Sequence, residues 1–162
     1  ALRRPAPSGD LHQQELFKEP LAVVVRAGHP LLSCGVVNAA QLAEMEWVAP
    51  HAATPAGANF EAFFRRHELP LPRRVIECSS FTTTRDLLVR TNRAALLSAS
   101  QIDDEALGGD LACVVPELPG TDRPIGVCTR SDWSPTKVQT RFLSLVREIA
   151  EESRPRDARP IM

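Results

Sequence analysis

The chain has 162 residues, with 19 lysines and arginines against 20 aspartates and glutamates and a formal net charge of −1. That balance argues against a protein that holds DNA mainly by neutralising phosphates with these residues, and a composition 43% hydrophobic and 24% charged is that of a folded domain rather than a disordered or fibrous chain. Apolar runs such as Leu21–Val25 and Ala94–Leu97 are far below the roughly 18 residues of a membrane span, and no apolar core follows the basic residues of ALRRPAPSGD as it would in a secretory signal. A soluble, cytoplasmic protein without a membrane partner is expected.

Both ends, Ala1–Asp10 and Arg154–Met162, are rich in Pro and Arg without apolar periodicity and read as frayed. Leu11–Phe17 and Leu21–Arg26 read as one long strand or two kinked at Pro20, ending in the turn Ala27-Gly28-His29-Pro30. Asn38 with Gln41 at N3 predicts a capped short helix, and Trp47–Ala49 a strand stopped by Pro50. Thr54-Pro55 is an N-cap followed by the residue favoured at the first helical position, and Phe60, Phe63 and Phe64 form that helix's apolar face, which ends near Leu69 before Pro70 and Pro72. Arg74–Cys78 is the next strand, Ser79-Ser80 caps a helix over Phe81–Arg90, and Ala94–Leu97 is a buried strand. Ser100 with Asp103 predicts a short helix through Leu107 closed by Gly108-Gly109. Leu111–Val115 and Pro124–Thr129 are the last strands. Ser134-Pro135 then opens a terminal helix on which Val138, Phe142, Leu145, Val146 and Ile149 recur on one stripe. Alternating strands and capped helices are the signature of α/β units.

The chemistry of a catalyst is not evident. There is no G-x-S-x-G, phosphate-binding loop, G-x-G-x-x-G or H-E-x-x-H. Asp103-Asp104-Glu105 sits in the first turn of a predicted helix, where acidic residues complement the dipole. Cys34, Cys78, Cys113 and Cys128 have no C-x-x-C spacing and read as buried reduced thiols, a redox role being the minority reading; neither a metal nor another cofactor is expected. Of four scattered histidines only His51, beside a strand end, is retained. What rises above this background is three hydroxyl-bearing strand-to-helix turns, Pro50–Pro55, Cys78–Phe81 and Leu97–Ser100. Such turns gather at the carboxyl ends of strands in open α/β sheets, and helix starts there offer N–H groups and a positive dipole end to an anion. Each of Thr54, Ser80 and Ser100 alone reads as an N-cap; the convergence is the argument for a site.

In this order the segments resemble the C-terminal effector-binding domain of LysR-type transcriptional regulators over Leu11–Glu151. ELFKEPLAVVVRAGHPL is similar to that family's strand pair and His-Pro-Leu turn, AAQLAEMEWVAP to its short helix and Trp-containing strand, TPAGANFEAFFRRHELPLPRRVIECSS to the next helix, strand and cap, and RPIGVCTRSDWSPTKVQTRFLSLVREIAEE to its crossover strand and terminal helix. The resemblance implies a periplasmic-binding-protein-like α/β fold: one nearly complete lobe over residues 24–125, a remnant of the other over 1–23 and 126–152 with the terminal helix, and a flexible tail 153–162. The family's opening strands and its winged helix-turn-helix have no counterpart here, which implies an N-terminally truncated regulator whose DNA contact lies outside this chain. Two departures stand out. LVRTNRAALLS has Thr91 and Arg93 where the family commonly has glycines and Ser98 where it has proline, so that Asn92 is the expected left-handed helix stop. Thr54, Phe63 and Phe64 occupy the region of the peroxide-sensing cysteine pair, which disfavours that mechanism. The resemblance, with the turns above, implies an effector site between lobes drawn from Pro50, His51, Thr54, Pro55, Ser79, Ser80, Phe81, Ser98, Cys128 and Thr129, a small organic anion as effector, no catalysis, and a homodimer or higher homo-oligomer. The rivals are a periplasmic-type solute-binding protein, a small enzyme on the same fold, or a module that only dimerises.

Overall fold

A computed structural model describes residues 10–98, 101, 102, 108–115, 118 and 121–152. The expected frayed ends, the Ser100/Asp103 capping box and the helix through Leu107 lie wholly or largely outside them; Gly108 and Gly109, which were to close that helix, do have left-handed φ of 63° and 74°. The chain forms two compact units that divide between Glu19 and Pro20 and again between Asp122 and Arg123.

The larger unit is built on β2 (Leu21–Arg26), whose first five residues are all buried. A continuous apolar run on a strand requires cover on both faces, and the side chains divide with the pleat. Val23 and Val25 join Leu42, Trp47, Phe60, Phe63 and Phe64 in one cluster, while Ala22 and Val24 join Val48, Leu88, Ala95 and Leu97 in another. Each fully buried valine contributes roughly 1.5–3 kcal/mol. β2 is the middle strand of an antiparallel trio with β5 (Ala95–Ser98) and β6 (Leu111–Val115). β3 (Trp47–Ala49) and β4 (Val75–Glu77) pair in parallel. A parallel bridge Trp47–Ala94 joins β3 to the start of β5, with Val48 N–H donating to Ala94 O at 2.8 Å. The first cluster is covered by α1 (Ala39–Ala43) and α2 (Pro55–Arg66), the second by α3 (Phe81–Arg90). Trp47 anchors the α2 side: its indole N–H donates to Leu42 O at 2.9 Å, and its ring meets Phe60 and Phe64 edge-on at 5.2 and 5.7 Å.

The smaller unit pairs β1 (Leu11–Glu19) antiparallel with β7 (Arg123–Arg130), and α4 (Lys137–Glu152) packs on β1. Gly126 is required there, because a Cβ would collide with the Gln14 carbonyl and lie 3.1 Å from Glu15 Cα. Arg147 donates from Nε and Nη2 to Gln14 Oε1 at 3.2 and 2.9 Å.

Several expectations change. The units part at Pro20 and Asp122 rather than after residues 23 and 125, because all of β2 pairs within the larger sheet. The terminal helix starts at Lys137, not at Ser134-Pro135: Thr136 and Gln139 exchange backbone-to-side-chain bonds of 2.8 and 3.4 Å in a reciprocal cap. The inward face of α4 is Leu143, Val146, Arg147 and Ala150, while Val138, Phe142, Leu145 and Ile149 are exposed. Asn92 is not left-handed; its Oδ1 accepts from Arg26 Nε at 2.9 Å and its carbonyl faces His29 Nε2 at 3.2 Å, so side-chain bonds hold the turn that glycines would shape. None of the four cysteines is in a disulfide, but Cys34 and Cys113 are exposed, one in the loop after the turn Pro30–Ser33 and one on the edge strand β6.

Candidate functional site

Parallel pairing of β3 with β4, and of Trp47 with Ala94, directs the carboxyl ends of β3, β4 and β5 to one edge of the sheet. The β3–β4 ladder extends one bond further, Cys78 N–H donating to Ala49 O at 2.9 Å. This brings the turn Pro50–Thr54 beside Cys78–Ser80, and with them the starts of α2 and α3. His51 Nε2 lies 3.8 Å from Glu77 Oε2, both side chains largely exposed.

Each turn is tied down by its own hydroxyl. Thr54 Oγ1 donates to His51 O at 2.8 Å and accepts from Gly57 N–H at 3.1 Å, while His51 Nδ1 accepts from Ala53 N–H at 3.1 Å. Ser80 Oγ accepts from Thr83 N–H at 3.4 Å. With Pro55 at the first position of α2, that helix start has the Ala56 N–H outside its cap bonds, and α3 has those of Phe81 and Thr82. Ser98 ends β5 but is 2% exposed, its hydroxyl donating to Gln101 Oε1 at 2.9 Å, so it presents no group to solvent. Pro50 is half-buried, and Pro55, Ser79 and Phe81 are exposed. Cys128 and Thr129 belong to the smaller unit, half-buried on β7 opposite Gln13 and His12.

Gly57 is the residue that reading the sequence missed. A Cβ there would collide with His51 O and approach Ala52 Cα to 2.8 Å, so only glycine lets the turn fold onto the first turn of α2. A glycine inside a predicted helix, at a cost of about 1 kcal/mol against alanine, was the available signal.

What this edge can do is hold a small acceptor-rich group. Backbone N–H groups at two helix starts favour a carboxylate or similar anion, strengthened by both dipoles. Among the described residues no group of three or more His, Cys, Asp or Glu is placed to hold a metal ion, and no helix is long and apolar enough to cross a membrane.

The model of the LysR substrate binding domain matches residues 1–151. The chain belongs to that family. Among curated relatives, this LysR domain is 32% identical to the HTH-type transcriptional regulator GalR of Pseudomonas putida over 152 residues, 94% of the chain but 38% of GalR. The chain therefore spans about two fifths of that relative's length. Its fold is that of LysR effector-binding domains. The regulatory domain of Synechocystis CcmR in complex with 2-PG superimposes with a TM-score of 0.77 at 18% identity, covering 95% of this chain and 74% of that one. The effector-binding domain of QuiR in complex with shikimate gives 0.73 at 14%, covering 94% and 71%. The periplasmic-binding-protein-like α/β architecture expected from the sequence is thus present.

Proposed function

We propose that this LysR domain is the sensing part of a cytoplasmic transcriptional regulator, non-catalytic itself, which binds a small organic anion at the carboxyl edge of β3, β4 and β5. Pro50, His51, Thr54, Pro55, Ser79, Ser80 and Phe81 form the mouth of the site, with Ser98 beneath. DNA is contacted by a helix-turn-helix carried elsewhere in the regulator, and the ligand acts by its differential affinity for two states of the sensor. The observation that carries this reading is the ladder bond Cys78 N–H to Ala49 O, which sets two capped helix starts side by side with the Ala56, Phe81 and Thr82 N–H groups outside their caps. Relatives that are HTH-type regulators, and a neighbour in complex with shikimate, support it.

The test isolates one donor. Small organic acids are screened by thermal shift, and the best is titrated by calorimetry into Phe81→Ala and Phe81→Pro. Proline is favoured at the first helical position and Ser80 already has the extended conformation it requires, so the two variants differ chiefly in the Phe81 N–H. Binding about tenfold weaker in Phe81→Pro than in Phe81→Ala is expected; equal binding overturns the contact.

We further propose a homodimer. Val138, Phe142 and Ile149 are 79%, 62% and 60% exposed on α4, and an open groove of about 390 Å³ runs between Lys137, Val138, Arg141, Phe142 and Leu145. An apolar surface of this kind marks an interface more often than a tolerated face.

A further inference from the structure

α4 packs on β1 by the face that carries Leu143, Val146 and Ala150, and turns a second apolar stripe to solvent. Val138, Phe142, Leu145 and Ile149, all exposed, follow one another at intervals of four, three and four residues. That spacing is the seam of a two-stranded coiled coil, with Val138 and Leu145 at one core position of the heptad and Phe142 and Ile149 at the other. One flank of the seam is charged. Lys137 and Arg141 lie along its amino-terminal half and Glu148 and Glu152 along its carboxy-terminal half, all four exposed; Arg141 Nη1 lies 3.5 Å from Glu148 Oε1 on that flank. This order is the reverse of what a lone helix favours, since cations at an amino end and carboxylates at a carboxyl end oppose the helix dipole. α4 has no acidic residue in its first turn and no basic residue in its last. The dipole of α4 therefore does not account for the order of its charges.

We propose that α4 pairs antiparallel with α4 of a second copy of this chain, seam against seam and basic half against acidic half. The inference rests on the homodimer reading above and names the surface and the orientation. A two-fold axis crossing the seam between Phe142 and Leu145 sets Val138 opposite Ile149 and Phe142 opposite Leu145, each contact occurring twice, as a two-fold interface requires. The groove between Lys137, Val138, Arg141, Phe142 and Leu145 then receives Ile149 of the second copy. Lys137 and Arg141 face Glu148 and Glu152 of the second copy, and the opposed helix dipoles add to the same attraction. A parallel pair would instead set like charges against each other along the whole flank. The seam supplies the apolar contact and the flank selects the direction.

Sedimentation equilibrium of charge-reversed proteins at low salt tests the pairing. Lys137→Glu with Arg141→Glu makes the flank acidic throughout, and Glu148→Lys with Glu152→Lys makes it basic throughout. Each reversed protein is expected to dimerise about tenfold more weakly than the parent, because like charges then meet at both symmetry-related contacts. An equimolar mixture of the two is expected to recover the parent's affinity as a heterodimer. The protein carrying all four substitutions, in which the halves have exchanged sign, is expected to dimerise as the parent does. A parent that sediments as a monomer overturns the homodimer and this pairing together. A parent dimer whose affinity is unchanged in both reversed proteins keeps the homodimer and overturns the pairing alone; a parallel pair gives that same result, since each reversal exchanges one like-charge contact for another. Weakening in the reversed proteins that neither the mixture nor the fourfold variant restores would assign the loss to a damaged fold and overturn the pairing as well.

Discussion

Two residues expose the physics of the site's frame. Replacing Gly57 by alanine drives a methyl group into the His51 carbonyl. That overpacking costs on the order of 1–3 kcal/mol, against about 1 kcal/mol returned by alanine's helix propensity; chemical denaturation of Gly57→Ala is therefore expected to show a net loss, and a gain would mean that the turn shifts freely. At the opposite end of the parallel strands, Glu46 receives Arg74 Nη1 at 2.6 Å and Arg93 Nη2 at 2.8 Å, holding the starts of β3, β4 and β5 together. The Arg74 hydrogen bond, then the charges of Arg93 and Arg74, lower the Glu46 pKa below its ordinary value, with burial opposing. A carboxyl whose folded pKa is depressed adds stability above its unfolded pKa and loses it as pH falls through the folded one. Urea denaturation of Glu46→Gln is accordingly expected to show a deficit at neutral pH that narrows below the ordinary carboxylate range; a deficit independent of pH would assign the residue's role to packing. Glu46 could not be singled out from the sequence, because only the fold brings Arg74 and Arg93 to it, whereas Gly57 left a local signal as a glycine inside a predicted helix.

At the scale of elements, local grammar was legible and contact across the chain was not. Asn38 with Gln41, Thr54 with Pro55, and Ser80 cap α1, α2 and α3 where their types and spacing place them, since a cap uses only its neighbours. The start of α4 was misread because two cap signals stand two residues apart, and Thr136 with Gln139 satisfies more backbone groups than Ser134-Pro135. Its orientation was misread because the helix has two apolar faces, and the one on β1 is Leu143, Val146 and Ala150. The strand-to-helix turns were visible as hydroxyl-rich joints, but the Cys78 N–H to Ala49 O bond that makes two of them neighbours is a tertiary fact. From α4 follows a prediction on assembly. Phe142→Glu places a charge on the exposed face, and sedimentation equilibrium at micromolar concentration is expected to move from dimer in the parent to monomer in the variant, with little change in melting temperature. A parent that sediments as a monomer would contradict the dimer.

These 162 residues carry nearly equal numbers of acidic and basic side chains and a net charge of −1, and they belong to a family whose relatives here are named as HTH-type regulators. Both facts fit a sensor that leaves DNA to another part of the regulator. The proposed effector site is one edge of one sheet, where the residue identities are modest and the groups on offer are three backbone N–H groups and the positive ends of two helix dipoles. An amide-resolved titration tests this most directly. With a small organic carboxylate that binds, the account predicts saturable, concentration-dependent shifts at the Ala56, Phe81 and Thr82 amides that exceed those on β6 and on the outer face of α4. Saturable shifts centred on β6 or α4, with those three amides unmoved, would contradict it.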